Sequence, residues 1–397
     1  MPWIDSGSSP AARWGRYQGS AASPYRVCVD LSGPAYRCSC PSRKIPCKHA
    51  DWLLKLRKVE PAAEPDWVRA WLDERAARAV RRAEPKERDE EAAARRRERR
   101  AERVAGGVAE LDGWLTDQVR RGLGTFERGG SSAFAAVAAR MVDAQAPGLA
   151  AGLRRAGEIA GRGRDWPGRV LEELGMLHLL VSAHGRLDSL PEGLAQTVRT
   201  RLGYTVDTAG VLASGERVAD RWIVLGVIDQ VDERLITRRV WLRGQDTGRP
   251  ALILSFAPPG APLDDSLVPG TAVTATLAFY PGARAMRAII SERGELKPAP
   301  QPPGEAVTTA LAAFADALAD DPWLDRWPVV LHDVVPTRTD SWSLVDTSGD
   351  ALPLRPYANP WPLLAVSAGA PLTVAGEWSA AGLLPLSCWD GERPVRL

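Results

Sequence analysis

No apolar run in these 397 residues approaches the ~18–20 residues that a membrane-spanning helix needs, so a spanning segment is not expected. The start, MPWIDSGSSPAARWGRY, lacks the basic region and apolar stretch of an export signal. An excess of one charge is also missing. The 51 Lys and Arg stand against 49 Asp and Glu, leaving +2, so no whole-molecule field selects nucleic acid or a membrane surface, and an electrostatic partner has to be met by a local patch. Cysteine is sparse, with 5 in the chain, which excludes a disulfide-dense secreted scaffold. Without an export signal the expected compartment is reducing and cytoplasmic, where clustered cysteines are metal ligands more often than disulfides. Lysine is scarce beside arginine, alanine and glycine, a bias of high-GC bacterial coding that warns against reading every arginine as functional.

Catalytic signatures are missing too. There is no HExxH. The glycines of Gly122-Leu123-Gly124-Thr125-Phe126-Glu127-Arg128-Gly129-Gly130 are followed by no Lys-Ser/Thr pair and lie between helical segments, so they read as a helix-ending loop. His178 and His184 are six apart and do not share a helical face. His332-Asp333 has no serine or cysteine elbow near it in sequence. The expectation is a protein that is not an enzyme.

What is present points to several modules with cores of their own, since 45% apolar and 25% charged residues are ordinary for globular domains. The expected fold class is multidomain α+β. In residues 1–60, Tyr25, Val27, Val29 and Leu31 alternate as one face of a strand, Ser32-Gly33-Pro34 turns, and Ala35 to Cys40 returns. Trp52, Leu53 and Leu56 then fall at helical spacing before Pro61. Residues 61–104 interleave Arg and Glu as a charged helical arm or linker, including Arg95, Arg96, Arg97, Arg99 and Arg100. Residues 105–203 read as a helical bundle, with segments near 105–123, 131–160, 167–188 and 191–202, and with Pro167 and Pro191 where first-turn prolines are tolerated.

From 204 onward strands dominate, and the sequence repeats. Asp220-Arg221-Trp222, Trp241 and Asp246-Thr247-Gly248 return as Asp325-Arg326-Trp327, Trp342 and Asp346-Thr347-Ser348. This predicts two tandem small β-domains, 204–296 and 306–397, joined by the stiff Pro-rich linker 297–305. A partly open barrel of the OB type is the candidate fold for each. Trp222 and Trp327 are expected to be equivalent core anchors, and Cys388 a core residue. Cys28, beside Arg26 and Asp30, is expected at a surface or interface.

The densest chemistry lies in CSCPSRKIPCKH, residues 38–49, which holds Cys38, Cys40, Cys47 and His49. Thiolate and imidazole are the donors zinc prefers, and four of them close a tetrahedral structural site. Cys38 and Cys40, two apart on a strand, point to one side. Pro41 and Pro46 stiffen the spacer, and Cys47 and His49 open the following helix. Arg37, Arg43, Lys44 and Lys48 crowd around, a setting expected to favour thiolate. A module of this size, with one hairpin and one short helix, buries little surface, so a metal is the expected staple.

Cys-X-Cys, a spacer and Cys-X-His, set behind the Tyr25–Leu31 strand and Gly33-Pro34-Ala35-Tyr36, resembles the SWIM-type zinc finger of bacterial proteins. The resemblance covers about residues 14–57. It implies a ββα finger with Cys38, Cys40, Cys47 and His49 holding one structural zinc. Only about a dozen residues precede Trp14, fewer than relatives are expected to carry. Fingers of this kind are assigned to protein contact, to DNA binding or to both, and bacterial relatives occur beside AAA-type ATPases and von Willebrand A-type proteins. The expected function is a zinc-binding adaptor, with DNA or single-stranded nucleic-acid binding as the alternative. Contacts are expected at Arg43, Lys44 and Lys48 of the finger and at Arg95, Arg96, Arg97, Arg99 and Arg100 of the arm.

Overall fold

Four short antiparallel strands open the chain, paired in sequence order: β1 (Trp3–Ser8), β2 (Ala12–Tyr17), β3 (Tyr25–Asp30) and β4 (Ala35–Cys38). The computed structural model describes residues 3–19, 23–31, 35–42, 47–56, 59–83, 90–127, 129–231, 235–261, 263–391 and 393–397, the side chains of 77–83 and 90–93 excepted. The turn at Gly33-Pro34, the spacer Arg43, Lys44 and Pro46, and the charged stretch 84–89 lie outside the described residues. Two compact units emerge, Met1–Arg97 and Glu98–Leu397.

In the first unit β3 and β4 are the expected hairpin, whereas β1 and β2 carry no apolar alternation that marks them as strands. Their pairing depends on Trp14, which is buried against Gly7, where a Cβ would stand 2.7 Å from the indole. The one-sided burial expected for β3 is not observed, because both of its faces are covered. Val27 and Val29 pack under helix α1 (Lys48–Lys55) with Ala50 and Leu53. Cys28, on the other face, joins Ala12, Trp14 and Val68, and Val68 belongs to α2 (Asp66–Ala83). Cys28 is therefore a core residue and not a surface one. Burial, then the charges of Asp30 and Glu64, push its thiol up to about 12. The first half of the charged arm is likewise a packed helix, tied to the sheet by Arg75, whose Nε donates to Asp30 Oδ2 at 2.7 Å.

The second unit begins with five helices: α3 (Glu90–Arg121, which spans the boundary), α4 (Gly130–Asp143), α5 (Pro147–Ile159), α6 (Trp166–His184) and α7 (Glu192–Leu202). Val104, Leu111, Phe134, Met141, Leu153, Leu174 and Val198 form their common core. The single helix expected over 131–160 is two, because Gln145 adopts φ 60 and Pro147 starts a new first turn. Gly203, at φ 112, ends α7 and donates its N–H to the carbonyls of Arg199 and Thr200. A short helix α8 (Thr208–Ser214) leads into the β region.

Strands β5 (Glu216–Val231), β6 (Ile236–Gly244), β7 (Pro250–Ala257), β8 (Thr271–Phe279) and β9 (Arg287–Pro298) close a barrel in the order β5-β6-β7-β9-β8, with β7 and β9 parallel. That circuit is the OB topology. After α9 (Val307–Asp320) the same circuit recurs in β10 (Trp327–Arg338), β11 (Trp342–Val345), β12 (Ala351–Pro353), α10 (Trp361–Ser367), β13 (Leu372–Trp378), β14 (Leu384–Asp390) and β15 (Arg393–Arg396). Their order is β12-β11-β10-β13-β14-β15, and a parallel bridge from Leu354 to Leu383 brings the third strand alongside the fifth. The repeat holds in strand order but not at its tryptophans. Trp222 lies mid-strand opposite Gly244 and Val273 and is fully buried, whereas Trp327 begins β10 opposite Trp378 and is half-buried. The reason is strand length: Asp220-Arg221-Trp222 sits inside the long β5, whereas Asp325-Arg326 precedes β10.

The two β-domains share a seam of Ile223, Leu225, Trp241, Ala375, Leu386 and Trp389. At its edge Glu377 is fully buried. Arg239 donates to both of its oxygens at 3.1 and 3.3 Å, and Trp241 Nε1 donates at 2.9 Å. Cys388 is a core residue of the second β-domain, as expected, and burial pushes its thiol up to about 11.

Candidate metal centre

Cys38 is the last residue of β4, and Cys40 follows in coil. Beyond Cys38 the ladder is continued by Ser39, whose N–H donates to the Arg26 carbonyl at 3.1 Å and whose Oγ accepts from Arg26 N–H at 2.9 Å. These bonds hold the Cys-X-Cys segment against β3. Cys47 is the N-cap of α1, in extended conformation at φ −76 and ψ 158, and its carbonyl accepts from Ala50 and Asp51. His49, in the first turn, is 5% exposed. The helix faces the sheet with His49, Ala50 and Leu53, so the imidazole descends toward the thiols.

The sulfur of each cysteine and a nitrogen of His49 all lie within 4.8 Å of one another, and Cys38 Sγ stands 3.7 Å from His49 Nδ1. Bonds of ~2.3 Å to sulfur and ~2.0 Å to nitrogen around a tetrahedral zinc put neighbouring donors roughly 3.5–3.8 Å apart. The observed separations fit that requirement with small adjustment. The donor set fits one structural zinc held by Cys38, Cys40, Cys47 and His49, and among the described residues no other His, Cys or acidic group forms such a cluster.

The electrostatics prepare the ligands unequally. Burial pushes the Cys38 thiol up to about 12. Burial opposes ionisation of Cys47 as well. There the N–H groups of Ala50 and His49 at the helix start, with the Cys38 and Cys40 thiols, outweigh it and hold Cys47 below the usual thiol value. Burial, then the Lys48 charge, lowers His49, which keeps the imidazole neutral as a ligand requires. Among the described residues it is the N–H groups of Ala50 and His49 and the neighbouring thiols that lower Cys47, and of the expected cations Arg43 and Lys44 lie outside the described residues. Arg37 faces Glu74 at 3.9 Å, and Lys48 lies over the Trp52 ring at 5.3 Å.

An aromatic wall around His49 is absent from the sequence expectations. Tyr17 and Tyr25 stand 4.7 and 5.2 Å from the imidazole and Trp52 5.8 Å. Tyr17 comes from β2, a strand without a sequence signal. Trp52 points outward at 39% exposure, while Leu53 takes the core position. In the arm, Arg95, Arg96, Arg97 and Arg99 are exposed on α3. Arg100 is engaged within the second unit, donating to the Gly203 carbonyl at 2.8 Å and lying 5.0 Å over the Tyr204 ring.

A short antiparallel sheet, a helix and a closed Cys₃His donor set define a structural zinc finger, here followed by a helical bundle and two β-domains. Residues 27–55 match the family model of the SWIM zinc finger, and residues 99–202 match that of the SWIM-associated four-helix bundle domain. The chain carries a SWIM zinc finger together with its associated bundle. No curated protein and no solved structure matches the chain.

Proposed function

We propose that the chain is a non-enzymatic adaptor in which zinc holds the finger in shape and the finger's exposed basic face docks a partner. The observation that carries this reading is the saturated donor set: four protein ligands fill a tetrahedral zinc and leave no position for water or substrate. Residues 1–60 contain ten Lys and Arg against four Asp and Glu, so a protein near neutrality overall has one strongly basic module. Lys48, Trp52 and Lys55 run along the exposed side of α1, opposite His49 and Leu53. This face suits an acidic protein surface. By family resemblance AAA-type ATPases and von Willebrand A-type proteins are the partner classes to try first, in the cytoplasm, where the thiols stay reduced. A pull-down of such partners by zinc-loaded protein, lost in Cys38→Ser and weakened in Lys48→Ala, supports the reading. Equal capture by Cys38→Ser removes the finger from it.

The same basic face favours a second reading, binding of DNA or single-stranded nucleic acid with help from Arg95, Arg96, Arg97 and Arg99. Affinity is then expected to fall steeply with salt, by a slope set by the number of phosphates neutralised. Absence of a gel shift at low salt rules this reading out.

A further inference from the structure

Glu377, the fully buried carboxylate at the edge of the seam, meets more cations than it can bind. Arg239 takes both of its oxygens, and Trp241 Nε1 completes Oε2. Two further guanidiniums, from the second β-domain, end on Oε1: Arg326 Nε and Arg355 Nη2 each stand 3.8 Å from it. That separation is an ion pair but exceeds the ~2.7–3.2 Å of a hydrogen bond, so neither head is anchored on the carboxylate. Both distances end on one oxygen, so the two heads lie close together.

Their other partners are few. Among the described residues Arg326 has this ion pair and no hydrogen bond. Asp325, its neighbour in sequence, is turned to Arg201 at 3.7 Å. Arg355 Nη2 donates to Ser379 Oγ at 3.0 Å, while its Nε is buried without a partner. The two side chains are 37% and 29% exposed, so solvent reaches both. Their backbone positions are fixed. Arg326 precedes Trp327, which pairs with Trp378 beside Glu377, and Arg355 N–H donates to the Leu383 carbonyl at 2.8 Å. The cluster is therefore set in place before any ligand arrives, which lowers the ordering cost of binding.

Charge selects the occupant. Three guanidiniums against one carboxylate leave an excess of two positive charges around a group that is out of water. Like charges this close repel, and a half-buried setting screens them less than an open surface does. An anion on the solvent side of Arg326 and Arg355 offsets the excess and supplies acceptors to both heads. A carboxylate brings one charge. A phosphate group with a free end brings about −1.5 to −2 at neutral pH and three oxygens, enough to accept from two guanidinium forks. A nucleic-acid strand carries one charge per phosphate and asks for a row of cations, whereas these converge on a single point. We propose that Arg326 and Arg355, gathered at the edge of the seam by Glu377, form a binding site for the terminal phosphate of a small molecule or for free phosphate, separate from the finger.

The test uses the full-length, zinc-loaded chain and isothermal titration at constant ionic strength, set with chloride. The probes are inorganic phosphate and glycerol phosphate, compared with acetate and with oligothymidylate. The expected result is saturable binding of one phosphate per chain, at least tenfold weaker binding of acetate, and a loss of at least tenfold in Arg326→Gln and in Arg355→Gln. Either phosphate probe supports the site, and the tighter of the two tells the free ion from a phosphate ester. Arg326 is partly exposed and makes no hydrogen bond to Glu377, so Arg326→Gln is expected to keep its melting temperature. Arg326→Lys should retain part of the binding. Arg338→Gln, an exposed arginine of the same domain, should leave it intact, and so should Lys48→Ala, which separates failure here from failure of the finger reading. No saturation by either phosphate probe up to roughly 20 mM overturns the proposal. So does undiminished binding by the Arg326→Gln/Arg355→Gln double variant, acetate binding as tight as phosphate, or a preference for oligothymidylate.

Discussion

At the scale of single residues, two of the zinc-binding thiols are shifted in opposite directions. The Cys38 thiol is pushed up to about 12 by burial, whereas Cys47 is held below the usual thiol value by N–H groups at the start of α1 that outweigh its burial. Zinc has to displace the Cys38 proton, so metal uptake at neutral pH is expected to release protons, measurable by pH-stat titration. Cys38→Ser and His49→Ala should each lose the single zinc, read by metal analysis of purified protein. Unchanged metal content would refute the site. These ligands were legible in the sequence because all four lie within twelve residues, where spacing alone brings them together. Tyr17 was not legible as a neighbour of His49, because only the pairing of β2 with β3 carries it there. A second residue-scale prediction concerns pH. Two hydrogen bonds from Arg238, at 2.7 and 2.6 Å, hold Asp229 below the usual carboxylate range. A folded pKa below the unfolded value gives stability that is present at neutral pH and lost as pH falls through the folded pKa. Asp229→Asn should therefore cost about 1 kcal/mol near neutrality, discounted for partial exposure, and nothing near pH 2, as followed by denaturant melts.

At the scale of elements, close approach decides what composition leaves open. Gly148 in α5 lies where an added Cβ would stand 1.7 Å from the Arg201 carbonyl oxygen in α7. Gly148→Ala is expected to force those helices apart and destabilise the bundle by about 3 kcal/mol, with zinc content unchanged. A melting temperature equal to wild type would mean that the helices part without strain. The helices themselves were readable from apolar spacing and proline positions, but the break at Gln145 was not, since a left-handed residue without glycine has no sequence mark. The arm shows a similar limit. Its charge pattern reads as solvated helix, yet Val68 of α2 is fully buried against the first sheet. Trp67, Trp71 and Leu72 pack around it, a short apolar stripe that the charge of the turns after it outweighs in composition.

At the scale of the whole molecule, Met1–Arg97 and Glu98–Leu397 are separate compact units. Zinc removal by a chelator should abolish the finger's own unfolding transition and leave the main transition of the second unit in place, as seen by calorimetry. A shift of both together would contradict the division. Within the second unit Glu377 couples the β-domains, with Arg239 and Trp241 donating from residues more than 130 positions away in sequence. Glu377→Ala leaves the Arg239 charge, 5% exposed, without its carboxylate. The expected cost is about 3–5 kcal/mol in the second unit's stability, with zinc content unaffected.

The sequence by itself determined the zinc ligands, the succession of finger, bundle and β-domains, and the internal repeat, because each is written in residues close together in the chain or in a periodic apolar pattern. Tertiary structure alone decided the pairing of β1 and β2, the burial of Cys28, the aromatic wall around His49, the closure of the first β-circuit into a barrel and the place of Glu377. All of these rest on surfaces brought together across long separations. Such contacts are selected by what becomes buried against what, and the local pattern of either partner does not record the other.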